Sequence, residues 1–351
     1  MPDVTDTGLA EADFLLEQRG TGHELGAWVV GAAFGRDGAV AGFGLSDGTV
    51  HLADPADHAA AWRRVEAHDG AGLTLVADSA SGLLSGGDDG RLLRLGADGA
   101  VTELAAYGMM KWVEHVAAHP SGLRAVAIGK NVHLLDGKGA AVKTFGPHPS
   151  TVGGVAFDPK GKRVFASHYN GVSGWFVAAR DATPKRYEWK GSHHLLVASP
   201  DGDHIVTAMQ ETSLHGWRFS DGQHMRMSGY PAKTHSLSFT AKGRWLATAG
   251  ADAVVLWPFH GGGPMGKSPT EIAGGDGVIC TRVACHPQHE VVAAGFADGM
   301  VLMAEIASGK VVPVAAPGRG AVSALAWNAT GSHLAFGTET GFAALLNLAK
   351  S

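Results

Sequence analysis

Only two cysteines, Cys280 and Cys285, occur in 351 residues, too few for a disulfide framework and consistent with a reducing compartment. Charged residues make up 17% of the chain, which argues against a coiled coil or a charge-rich disordered segment. With a net charge of −5 the sequence supplies no obvious cationic face for general nucleic-acid binding. No apolar run approaches the roughly 20 residues needed to span a bilayer. Residues 1–12 lack the cationic start and apolar stretch of a signal peptide. These absences predict a cytoplasmic protein with neither nucleic-acid nor membrane partners.

What the chain has in quantity is glycine, 51 residues, beside 45% hydrophobic residues. That combination predicts many short strands joined by tight turns. The strands repeat. Val155-Ala156-Phe157-Asp158-Pro159-Lys160-Gly161, Leu237-Ser238-Phe239-Thr240-Ala241-Lys242-Gly243 and Leu325-Ala326-Trp327-Asn328-Ala329-Thr330-Gly331 are copies of one strand-turn unit. Its turn position recurs at 38, 82, 122, 161, 202, 243, 289 and 331, a period of about 42 residues. Ten residues later a second turn falls at Gly48, Gly171, Ala253, Gly299 and Gly341. Four residues beyond that, large apolar side chains recur at Leu52, Trp175, Trp257, Met303 and Leu345, with Trp217 one residue out of step. Alternation about these anchors places them on a buried strand face.

The expected fold is all-β: one propeller of four-stranded antiparallel blades over residues 13–351, behind a tail at 1–12. The repeat gives eight blades, with seven as the alternative if one copy is degenerate. The last copy ends one strand short, while Phe14–Arg19 reads as a spare strand at the other end. The ring is therefore expected to close by the N-terminal strand joining the last blade, which removes an open sheet edge.

On these residues the chain resembles the WD-repeat β-propeller family over nearly its whole length. The strand-turn motif, the hairpins Asp47-Gly48, Asp89-Gly90 and Asp298-Gly299, and the third-strand tryptophans carry the likeness. Trp175, Trp217 and Trp257 are followed by Phe176, Arg218 and Pro258 rather than aspartate, so the family's His/Asp/Ser/Trp network is not carried over. The resemblance implies a rigid, non-enzymatic scaffold that binds other proteins through a propeller face.

Several strings imitate catalytic motifs. Gly261 to Ser268 fits the phosphate-loop spacing, but Pro269 and Gly274-Gly275 leave room for a strand and not for the helix such a loop must open. Ser46 in Gly44-Leu45-Ser46-Asp47-Gly48 has nucleophile-elbow spacing, yet the repeat register makes it an ordinary hairpin residue. Cys280, Cys285, His286 and His289 cluster in sequence, but side chains five apart on a strand diverge. No catalytic residue, cofactor or metal is expected.

The 19 histidines hold more interest where they fall on first strands, which line a propeller's channel. Glu114, Gly153, His194, His235, Thr281 and Ser323 occupy equivalent positions, followed by His115, Gly154, Leu195, Ser236, Arg282 and Ala324. One set faces the channel, and strand parity alone leaves open which. The expected partner site is the face where first strands begin, around Trp28, Trp112, Glu114, His193, His194 and His235 of a monomer. The alternative function is a small-ligand or metal-binding propeller using the histidine-bearing mouth.

Overall fold

The computed structural model describes residues 13–179 and 183–349, so the expected tail at 1–12 lies outside them. The architecture is all-β, a single propeller of antiparallel blades. Inner strands neighbour one another in the order Val29–Phe34, Gly72–Ala77, His115–Ala118, Gly154–Phe157, the second half of Lys185–Ala198, Leu237–Phe239, Cys280–Cys285 and Val322–Trp327, and the last returns to the first.

Counted as hydrogen-bonded sheets, the propeller has seven blades rather than the eight the period favoured. Six sheets have four strands and one has six. The reason lies in two strands of 14 residues each within the six-stranded sheet. Arg163–Phe176 folds back on itself at Asn170-Gly171, closed by a hydrogen bond from Val177 N to Lys162 O at 2.9 Å. Lys185–Ala198 pairs by its first half with Gly171 to Gly174, and by its second half with His204–Met209. The chain thus passes from the fourth repeat to the fifth through Lys190-Gly191 while staying extended, fusing two repeats into one blade.

Ring closure occurs, but by a different segment from the one expected. Gly20–Glu24 pairs antiparallel with Phe342–Asn347 and completes the last sheet. Phe14–Arg19 is no strand: Leu15–Arg19 forms one turn and a half of α-helix, burying Leu16 beneath it. Straight-chain residues suit that helix, whereas Gly20-Thr21-Gly22 hides its strand character. The glycines are needed there, since a Cβ on Gly22 would lie 2.4 Å from the Phe342 ring.

The core sits between blades. Leu52, Trp175, Trp217, Trp257 and Leu345 are buried as the repeat requires, while Met303 is half-buried. Side-chain hydrogen bonds brace the interior of individual repeats. In the second, His68 meets Ser85 Oγ at 2.9 Å and Asp89 Oδ1 at 3.1 Å. In the sixth, Trp257 Nε1 donates to Tyr230 Oη at 2.6 Å, and that hydroxyl bonds Thr248 Oγ1 at 2.7 Å.

Candidate functional site

The propeller has a leading face, where inner strands begin, and a trailing face, where their first hairpins turn. The leading ends carry a recurring irregularity. Register shifts occur between Val29 and Gly31, Gly72 and Thr74, His193 and Leu195, Cys280 and Arg282, and Val322 and Ala324. A β-bulge leaves one residue unpaired and breaks the alternation of faces, which is why parity could not assign the polar set.

The unpaired residues include His194, Thr281 and Ser323, and their side chains clamp neighbouring repeats. His194 Nε2 meets Thr234 O at 3.1 Å, Thr281 Oγ1 donates to Val322 O at 2.7 Å, and Ser323 Oγ donates to Val29 O at 2.6 Å. Each acceptor is the carbonyl just before the equivalent residue of the next repeat. At Gly153 a Cβ would approach His193 O to 2.5 Å, so that repeat has no room for a clamp. The expected polar ring is thus largely a set of joints between repeats.

The six expected partner residues divide accordingly. His193 is buried, held by Thr207 Oγ1 at 2.7 Å and Trp189 O at 3.0 Å, and is corrected to a structural residue. Burial, opposed by the Thr234 carbonyl, pushes the His194 imidazole down to about 4. His235 is exposed, with its ring 5.8 Å from that of His194. Burial, then Lys233 and Arg282, holds its pKa below the ordinary value. Trp28 and Trp112 are 46% and 57% exposed, so neither plugs a gap between blades.

Around Trp112 the chain does something the sequence reading missed. The loop Gly108-Met109-Met110-Lys111-Trp112 leads into the third inner strand. Met109 and Met110 are 87% and 84% exposed. Met110 has φ of +66°, the left-handed region that a flexible unbranched residue enters only at a cost. Beneath the loop lies a cavity of about 220 Å³ lined by Met110, Trp112, Glu114, His115 and Thr151 among others. Burial holds the His115 imidazole below its ordinary pKa against the pull of Glu114, 3.9 Å away. The available signal was adjacent methionines after a glycine, an apolar pair where a turn should be polar.

The trailing face has a second cavity of about 380 Å³ between the fifth and sixth repeats, under the glycine-rich loop. Arg218 in its lining, and Lys267 in the loop above, serve the protein itself. Arg218 Nη1 donates to Gly262 O and its other nitrogens bind Asp221 and Gln223. Lys267 Nζ donates to the carbonyls of His260 and Gly261. A strand, Thr270–Gly274, follows where a phosphate loop would open a helix. Ser46 lies in a hairpin turn, its N–H bonded to Trp28 O at 2.9 Å. The Cys280 and Cys285 thiols bond different carbonyls, Arg282 O and Ser238 O, and burial pushes both up to about 12.

No protein-family model matches the chain, and neither does any curated protein. A solved structure does: the computationally designed Ika8 protein, at a TM-score of 0.74 and 18% identity, covering 93% of this chain and 97% of the other. The likeness is one of fold. It agrees with the propeller built above and adds nothing about activity. No helix among the described residues is long and apolar enough to cross a membrane.

Proposed function

We propose that the protein is a non-enzymatic scaffold that binds a protein partner through the leading face, at the sector around Met109, Met110 and Trp112. One observation carries this reading: two adjacent methionines and a tryptophan stand in solvent on a loop whose backbone enters the left-handed region at Met110. Exposed large apolar groups that fold stability does not use mark an interaction surface, and tryptophan is a frequent anchor of such surfaces. Methionine adapts to varied partner shapes. The sequence resemblance to WD-repeat scaffolds supports the same reading.

The test is a binding titration with the partner once it has been identified from the native cell and purified. The combined Met109→Ser, Met110→Asn, Trp112→Ser variant should bind at least tenfold more weakly, while Lys242→Ser on the opposite face binds as the parent does. Equal affinity of the triple variant would place the site elsewhere.

A further inference from the structure

The cavity below the Met109–Trp112 loop is smaller than the roughly 300–1,000 Å³ typical of small-molecule sites. It has room for one long side chain. Beside Lys111, His115 and Thr151, its lining includes Met110 and Trp112, which offer apolar surface, and Glu114, which offers a carboxylate that is 58% exposed. Among the described residues, the ion-pair contact of that carboxylate is to His115 alone, at 3.9 Å. Burial favours the neutral form of that imidazole, so the acid's charge is left without a strong partner. Lys111 lies on the same rim but is not within ion-pair distance of it.

Resting on the docking surface proposed above, we infer that the partner inserts one lysine or arginine side chain into this cavity, its stem on Met110 and Trp112 and its charge at Glu114. A long cationic side chain combines an apolar stem with a charged head, which matches this lining in order. A cation over an indole face gains further attraction, strongest where water is displaced. A charge-assisted hydrogen bond to the carboxylate then fixes depth and direction. An acidic side chain would meet Glu114 with like charge, and an apolar one would leave that carboxylate partly desolvated without compensation. Burial reinforces the choice by disfavouring a charge on His115 that would compete for the same carboxylate.

The experiment uses the full chain and four capped pentapeptides that differ only at the central position, which is arginine, lysine, norleucine or glutamate. Binding is followed by the NMR shift of the Trp112 indole N–H, assigned with Trp112→Phe. The arginine and lysine peptides should shift it and bind at least tenfold more tightly than the norleucine and glutamate peptides. Glu114→Gln should abolish that preference while leaving the urea midpoint unchanged. Norleucine binding equal to arginine, undiminished preference in Glu114→Gln, or no shift with any peptide at several millimolar overturns the inference. Should the preference fail while the triple loop variant still loses the purified partner, the docking surface stands and only the cation is wrong. Retention of the partner by that variant brings down the docking reading itself.

Discussion

The third repeat meets solvent in opposite ways at its two ends. On the trailing face, Arg124 is buried and grips Asp78 of the preceding repeat through two hydrogen bonds, at 2.7 and 2.8 Å. Burial alone would raise the Asp78 carboxyl, but hydrogen bonds from Arg124, the Ser79 N–H and Arg94 hold it below the ordinary range. Arg36 of the first repeat donates to Asp78 O at 2.8 Å and Ala118 O at 2.7 Å, so three repeats are tied together. On the leading face the same repeat offers Met109, Met110 and Trp112 with no comparable ties. One end is closed by satisfied polar groups, whereas the other holds apolar surface in water. Stability resides at the first, and the interaction proposed here at the second.

That contrast can be broken from the stable side. The largest loss is expected at the ring's seam, where removing residues 1–24 deletes the closing strand and uncovers its neighbour's edge. Burial of Phe14 and Leu16 alone contributes about 3–6 kcal/mol, at 1.5–3 kcal/mol for each side chain. Urea unfolding should show at least this loss, and a midpoint matching the parent would mean the seam is not closed by Gly20–Glu24. Next comes Arg124→Ala, which leaves a buried carboxylate short of its main partner and should cost about 3–5 kcal/mol in the same assay. A loss under about 1 kcal/mol would show that Arg94 suffices.

Acid should act on the core. His215 is fully buried, stacked on Trp189 at 4.0 Å, and both ring nitrogens lack a hydrogen-bond partner. Burial, then His224, His193 and Arg226, pushes its pKa down to about 3. The folded state therefore keeps it neutral, while the unfolded chain takes up a proton below about pH 6.5. Its contribution is complete above that pH and declines as pH falls from about 6.5 toward about 3. At pH 5 the loss is on the order of 2 kcal/mol. His215→Phe keeps the stacking and should flatten this decline, which parallel urea titrations at pH 7 and 5 will reveal. A smaller effect, about 1–2 kcal/mol, is expected for Tyr230→Phe, which strands the Trp257 N–H. Stability unchanged by that substitution would remove the network from the account.

The fold was legible in the sequence to the extent that turn chemistry dictated it. Gly161, Gly243 and Gly331 mark their turns because each has positive φ, and at Gly331 a Cβ would fall 2.0 Å from His286 Nε2. The fusion of the fourth and fifth repeats was not legible, because one 14-residue strand, Lys185–Ala198, serves both repeats and only the three-dimensional path shows it. Gly20–Glu24 was missed because its burial comes from Phe342 lying across glycine rather than from its own side chains. At the site, the sequence placed Glu114 on a first strand and Trp112 at that strand's entry. His193 misled, since sequence position cannot reveal that Thr207 and Trp189 satisfy both its nitrogens. Met109 and Met110 passed unnoticed because methionine in a β-rich repeat usually signals core.

The most direct test of the division between the two faces is amide hydrogen exchange on the protein alone and with its purified partner bound. Residues 107–115, with 150–152 beside them, should gain protection in the complex, while 78–82 and 118–124 exchange as they do in the free protein. Protection that appears on the trailing face and leaves 107–115 unchanged would contradict the account.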